Sequence, residues 1–203
     1  MTRFFSLNKF QFLVLMIGLL IAGCESDDPQ KEDTPELITK ATLTFTPVGG
    51  GTVVTATATD PDGEGVQDIA VDGAINLTDG VNYTLSLSLI NELAEVTSPE
   101  YNITEEVEEE GDEHMFFFAW TGDVFSNPTG NGNIDNRADG VNYEDEDEGG
   151  LPIGIVTSWT AGAAASSGTF RVVLKHQPDL KTETSGSDTG ESDLDIEFEI
   201  NVN

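Results

Sequence analysis

The chain is poor in cysteine, histidine and basic residues. It has one cysteine, two histidines and 8 Lys plus Arg against 38 Asp plus Glu, for a formal charge of −30. A single cysteine leaves no disulfide framework, so packing must stabilise the fold. So strong a negative charge makes nucleic acids and anionic lipid surfaces poor partners and cations natural ones. We therefore expect no nucleic-acid binding.

Sequence motifs for catalysis are also missing. The chain contains no GxSxG, P-loop, GxGxxG or HExxH pattern, and the ASSG at 165–168 matches no nucleophile pattern. Only His114 and His176 are available as imidazoles, and carboxylate pairs are too numerous to single out a glycosidase dyad. The sequence thus predicts a protein that is not an enzyme.

The one long apolar run lies at the N-terminus. Arg3 and Lys9 precede the run 10–22, which is the pattern of a secretory signal peptide and is short for a membrane-spanning helix. The LIAGC at 20–24 resembles the bacterial lipobox, in which the cysteine is lipidated and becomes the first mature residue. We expect residues 1–23 to be a lipoprotein signal peptide and acylated Cys24 to anchor the protein to a lipid bilayer. A retained anchor helix is the alternative.

Residues 24–36 are predicted to be an acidic, flexible tether. The sequence ESDDPQKEDTPE is polar and contains two prolines, with nothing to bury. Its first acids resemble the signal that exports lipoproteins of the Bacteroidota to the cell surface, although a plain solvated linker explains the same composition.

Beyond residue 37 the apolar residues alternate with polar ones, with a period of two. One apolar and one polar face per strand is typical of an antiparallel sheet packed on a single side. The alternating segments are 41–46, 54–59, 83–89, 170–175 and 194–202. Further strands near 68–77, 114–122 and 152–160 bring the number to about eight. We predict one immunoglobulin-like, antiparallel β-sandwich over 37–203, with a small β-barrel as the alternative, and a monomer.

The last predicted strand carries a row of acids on its polar face. Asp195, Glu197 and Glu199 alternate there with apolar residues. Like charges on an exposed terminal strand discourage edge-to-edge pairing, which explains the row without a ligand.

An acidic turn at 60–71 partly matches a calcium-binding loop. Position 6 of that pattern is Gly65, but position 12, where a bidentate Glu is needed, is Val71. Calcium is therefore one interpretation, and an acidic turn between two strands is the other. The candidate ligands, at positions 1, 3, 5 and 9, are Asp60, Asp62, Glu64 and Asp68.

A second acidic segment, 131–148, is long and has no periodic pattern. Loops of this length and composition are either functional or disordered. We expect disorder or a mobile binding loop.

The stretch ITEEVEEEGDEHMFFFAW, at 103–120, places seven carboxylates next to large apolar residues. Asn102 is a good N-cap, and Gly111 can end a helix, so we predict a short acidic helix over about 103–110. Glutamates at its C-terminal end oppose the helix dipole and repel one another. A segment that breaks local rules in this way is a candidate functional site.

After this helix a strand would place His114, Phe116, Phe118 and Trp120 on one face and apolar residues on the other. The structural interpretation is a central, buried strand. The functional interpretation is that His114, with Glu110, Asp112 or Glu113, binds a divalent metal ion or cationic ligand. In that case the rings of Phe116, Phe118 and Trp120 would form the wall of a ligand pocket.

Several of these segments together resemble a family of small Bacteroidota lipoproteins. They are the lipobox, ATLTFTPVGGGTVVTATATDPDGEG, YTLSLSLIN and ITEEVEEEGDEHMFFF. Members are often labelled "type 1 periplasmic binding fold superfamily" proteins. The resemblance implies an outer-membrane lipoprotein, facing the cell surface or the periplasm, that serves a TonB-dependent nutrient receptor. The label implies a two-lobed α/β fold, which a chain with almost no helical period contradicts.

Two functions remain open. One is a binding module that captures a metal ion or small ligand for an outer-membrane receptor. The other is a structural or adhesive surface lipoprotein with acidic, calcium-stabilised loops.

Overall fold

Strands dominate the structure, as the period of two predicts. The computed structural model describes residues 36–63 and 69–203, which fall in one compact unit. Within them lie ten strands and one short α-helix, α1 (Ile103–Glu109), preceded by a 3-10 turn at Pro99–Tyr101. The strands are β1 (Lys40–Pro47), β2 (Val54–Thr59), β3 (Ala70–Asp72), β4 (Ile75–Leu77), β5 (Asn82–Ile90), β6 (His114–Trp120), β7 (Phe125–Asn127), β8 (Val156–Ala161), β9 (Ser167–His176) and β10 (Glu191–Val202).

The strands form two sheets, with the order β3-β2-β1-β5-β8-β7 in one and β4-β10-β9-β6 in the other. All pairs are antiparallel except β4 and β10, which are parallel. Inward-facing residues of both sheets belong to one hydrophobic core. This arrangement confirms the predicted all-β sandwich. No helix in the described part of the chain has the length and apolarity to cross a membrane.

The alternating segments form strands because each has one face to bury. In β1, Ala41, Leu43 and Phe45 are fully buried and face the core. The core is rich in aromatic rings, and Trp159 lies at its centre. Its ring centroid is 4.6 Å from that of Phe125 and 5.2 Å from that of Phe170. Aromatic pairs at such distances stabilise a core beyond their buried area.

One predicted strand is divided in the structure, one begins at Val156 instead of at 152, and one observed strand was not predicted. In the predicted strand 68–77, the described residues form two strands in different sheets, because Gly73 between them takes a φ of +73° and turns the chain. Strand β7 was not predicted, because three residues are too few to show an alternation of apolar and polar side chains.

Strand β6 is apolar on both faces, as predicted, but it is the last strand of its sheet rather than a central one. The loop that follows β7 covers its edge and its outer face. Residues Phe116 and Trp120 donate backbone N–H groups to the carbonyls of Ile153 and Asn131, at 2.7 and 3.1 Å. The hydroxyl of Tyr143 donates to the Phe116 carbonyl at 2.7 Å. The acidic loop 131–148 is therefore fastened to β6.

Helix α1 confirms the predicted acidic helix and is held against β5. It buries Ile103 and Val107. The Thr104 hydroxyl accepts the N–H of Leu89 at 2.7 Å and lies 3.1 Å from the Leu89 carbonyl. The C-terminal end of the helix, with Glu110, is thereby positioned at the start of β6.

Candidate metal centre

Both histidines lie together at one end of the sandwich, where β6 begins and β9 ends. His114 and His176 are paired residues of the antiparallel ladder, so their side chains leave the same face of the sheet. Their rings are stacked, with centroids 4.6 Å apart and planes 3° from parallel. Both are buried.

A β-bulge brings Asp193 to the same place. In the β9–β10 ladder Ser192 pairs with Lys175 and Leu194 with Leu174, which leaves Asp193 as an extra residue. Without the bulge, alternation would place Asp193 on the solvent face with Asp195. Instead its side chain is fully buried beside His114.

The hydrogen bonding of His114 leaves one ring nitrogen as an acceptor. Nδ1 lies 3.1 Å from the Glu110 carbonyl, which can only accept, so Nδ1 carries the proton. Nε2 therefore presents a lone pair. It lies 3.7 Å from Asp193 Oδ2 and 3.8 Å from Glu36 Oε1. In the described part of the chain, neither His114 Nε2 nor Asp193 Oδ2 has a hydrogen-bond partner.

Glu36 lies over this pair from the chain segment that precedes β1. Its backbone N–H donates to Asp193 Oδ1 at 3.3 Å, which turns Oδ2 toward His114. Its side chain is only 8% exposed. The two carboxyl groups thus meet the His114 nitrogen from two directions.

Burial is the largest cause of three pKa shifts at this site. It raises the pKa of Glu36 to about 8, with further increases from Glu106, Asp193 and Glu110. It raises the pKa of Asp193 to about 6 and lowers the pKa of His114 to about 4. Nearby opposite charges, His176 and Lys175 for Asp193 and Glu113 for His114, offset the effect of burial only in part. A bound cation would stabilise the charged form of the two carboxylates further.

The donors form two overlapping groups, His114 with His176 and Asp193, and Glu110 with Glu113 and His176. In each group the ligating atoms lie within 4.8 Å of one another, so each could hold a metal ion. Glu113 Oε2 also lies 3.4 Å from His176 Nε2, which orients that ring. Zinc bonds of about 2.1 Å in a tetrahedron separate ligand atoms by about 3.4 Å. The distances around His114 Nε2 exceed this by only a few tenths of an ångström.

A buried ion pair supports the turn between α1 and β6. Lys181 Nζ donates to the Gly111 carbonyl at 2.6 Å and to Asp147 Oδ2 at 2.8 Å. Burial alone would raise the pKa of Asp147, but the Lys181 ammonium and the amides of Leu151 and Gly149 hold it below its usual range. The pair fixes the turn from which His114 extends.

Of the predicted metal ligands, His114 belongs to one group and Glu110 and Glu113 to the other, and His176 is common to both. Asp112 is exposed and belongs to neither group. The sequence prediction missed His176, Asp193 and Glu36. His176 follows directly on the alternating segment 170–175, at the end of the strand that became β9. Pairing of that strand with β6 would have placed His176 opposite His114.

The prediction that Phe116, Phe118 and Trp120 line a ligand pocket is wrong. All three side chains are buried in the core between the sheets. Phe118 and Trp120 pack against the Trp159 ring at centroid distances of 5.6 and 5.2 Å. The alternation that puts them on the face of His114 also directs them into the core, where no ligand reaches them.

Only part of the predicted calcium loop falls within the described residues. Asp60 Oδ1 accepts the N–H groups of Asp62 and Gly63 at 3.3 and 3.1 Å, which is the hydrogen bonding of an acidic turn. Glu64 and Asp68 lie outside the described residues, and calcium binding there stays a prediction.

The predicted signal peptide, residues 1–23, and Cys24 also lie outside the described residues, as does the tether up to residue 35. Lipidation of Cys24 therefore stays a prediction. Comparison of the chain with protein-family models, curated proteins and solved structures finds no match.

Proposed function

We propose that this chain is an extracytoplasmic, lipid-anchored binding module that holds a divalent transition-metal ion between His114, His176 and Asp193. One observation carries the proposal. His114 Nε2 and Asp193 Oδ2 are buried, face each other at 3.7 Å, and lack hydrogen-bond partners among the described residues. Both are acceptors, so they have no reason to face each other unless a proton or cation lies between them.

The energetic argument supports a cation. A buried polar atom without a partner costs about 1–3 kcal/mol, and more when it is charged. Two such atoms in one place are a substantial cost for a domain with a stability of about 5–15 kcal/mol. A bound ion offsets this cost because it interacts with both atoms at once.

The donor types narrow the choice of ion. Imidazole nitrogen suits zinc, copper, iron and nickel, whereas calcium and magnesium prefer oxygen ligands alone. His114 also has the outer-shell arrangement common at metal sites, with its second nitrogen donating to a backbone carbonyl, that of Glu110. Zinc is therefore the first ion to test.

The surroundings suit cation capture. The formal charge of −30 concentrates cations near the protein. With an anchor at Cys24, the module would present its ion to a TonB-dependent receptor of the outer membrane. This cellular role rests on the sequence patterns alone.

Metal analysis of protein purified without chelator, followed by calorimetry on stripped protein, tests the proposal. We expect saturable zinc binding, no binding of calcium at this site, and affinity at least about tenfold weaker for His114→Gln. Asp195→Asn, on the exposed face of β10, is the matched control and should bind zinc as the wild type does. Equal zinc affinity in His114→Gln would remove the site.

A further inference from the structure

Glu36 differs from the other donors in where it comes from. His114, His176 and Asp193 lie on strands of one sheet, whereas Glu36 lies four residues before β1, outside both sheets. It is 157 residues from Asp193 along the sequence, yet its N–H donates to the Asp193 carboxylate. The site is thus covered by Glu36, a residue outside the strands that carry the other donors.

The carboxylates of Glu36 and Asp193 lie at nearly the same distance from the free ring nitrogen of His114. Their oxygens Oε1 and Oδ2 lie 3.8 and 3.7 Å from His114 Nε2. The side chains of His114 and Asp193 are fully buried, whereas that of Glu36 keeps slight contact with solvent. An ion bonded to the two buried donors is therefore in place to accept Glu36 as a further ligand, from the side that faces solvent.

A side-chain hydrogen bond with Glu106 helps to hold the Glu36 side chain in this position, but a negative charge there is opposed. The carboxylates of Glu106, Glu110 and Asp193 all lie close enough to oppose a negative charge there. Its backbone is held to β10 by one hydrogen bond of 3.3 Å. Repulsion from three carboxylates therefore opposes these two hydrogen bonds when Glu36 is charged, and a cation reverses that repulsion.

We propose that Glu36 is a ligand of the bound ion, and that the ion thereby fastens the chain segment before β1 onto β10. This inference rests on the proposed function. It implies a centre assembled from β6, β9, β10 and the segment at Glu36.

Cleavage by a glutamyl endopeptidase, which cuts after glutamate, tests this on the full chain. The bond from Glu36 to Leu37 can enter a protease only when the Glu36 side chain leaves the site. We expect saturating zinc to slow cleavage at this bond at least about tenfold relative to chelator-treated protein. The bond after Glu95, in the exposed turn that follows β5, is the internal control and should be cut at the same rate in both conditions.

Calorimetry separates the two proposals. Glu36→Gln should weaken zinc binding about tenfold or more, by loss of a charged ligand, and Glu199→Gln on the exposed face of β10 should leave it unchanged. If the wild type binds zinc but Glu36→Gln binds it equally well and the bond after Glu36 is not protected, this inference is overturned and the proposed function stands. If the wild type binds neither zinc nor copper, iron or nickel, the proposed function itself is overturned.

Discussion

Asp193→Asn should stabilise the metal-free protein and abolish its response to zinc. The substitution keeps the shape of the side chain. It also keeps an oxygen that can accept the Glu36 N–H, which in the wild type donates to Oδ1 at 3.3 Å. It removes a buried negative charge and puts an amide N–H donor where Oδ2 faces the lone pair of His114. A purely structural aspartate would behave in the opposite way.

The magnitude follows from the raised pKa of Asp193, which is about 6 in the folded chain against 3.8 ordinarily. Below pH 3.8 the group is protonated whether the chain is folded or unfolded, and it has no effect on stability. Between pH 3.8 and about 6 the folded state binds more protons, so stability falls as pH rises. Above this window the loss is constant, at about 3 kcal/mol. Asp193→Asn removes it.

Thermal unfolding with chelator measures this effect. For a domain of this size about 3 kcal/mol corresponds to a Tm increase of roughly 6–12 °C near neutral pH. The increase should shrink to a small fraction of that value at about pH 4, where the wild-type carboxyl is protonated. Asp195→Asn, which breaks an exposed pair with Arg171, should lower stability by at most about 1 kcal/mol.

Zinc supplies the second half of the test. At a concentration of about 100 times Kd, zinc should stabilise the wild type by about 2.7 kcal/mol, whereas Asp193→Asn should show little of this gain. The reasoning is refuted if Asp193→Asn lowers the Tm in chelator and keeps the full zinc response.

Three further outcomes follow from the same contacts. Zinc affinity should rise between about pH 6 and about pH 9, as Glu36 and Asp193 lose the protons that burial helps them keep; calorimetry that gives one Kd across this range would contradict it. Lys181→Met should cost about 3–5 kcal/mol in urea unfolding because it leaves buried Asp147 without its ammonium, and adding Asp147→Leu should recover part of this loss. Phe118→Ala should cost about 3–5 kcal/mol by opening a cavity against Trp159, and a loss below about 1 kcal/mol would place that ring outside the core.

Much of the fold could be predicted because long strands express their period in the sequence. The segments that became β1, β2, β5, β9 and β10 alternate over at least six residues. The prediction of α1 relied on Asn102 and Gly111, but the Asn102 side chain makes no capping hydrogen bond and the helix ends at Glu109, before the glycine. Pairing order is a different matter. Nothing in the local pattern assigns β4 to the sheet of β10, because that choice depends on a turn at Gly73 and on tertiary packing.

The candidate site was predictable only where its residues are close in sequence. His114, Glu110 and Glu113 fall within one turn and could be proposed together. Asp193 could not, because alternation puts it on the solvent face and only an extra residue in β10 reverses that direction. The sequence interpretation also treated residues up to 36 as a tether, whereas Glu36 lies against the end of the sheet.

The bulge at Asp193 also bears on when an ion can bind. The donors come from the beginning, the middle and the last strand of the domain, and Asp193 reaches its place only after β10 has added to β9 in the shifted register. Contacts so far apart in sequence form late, because closing long loops costs entropy before any contact repays it. An ion at the proposed site would therefore meet its full set of donors only in a chain whose last strand is already in place.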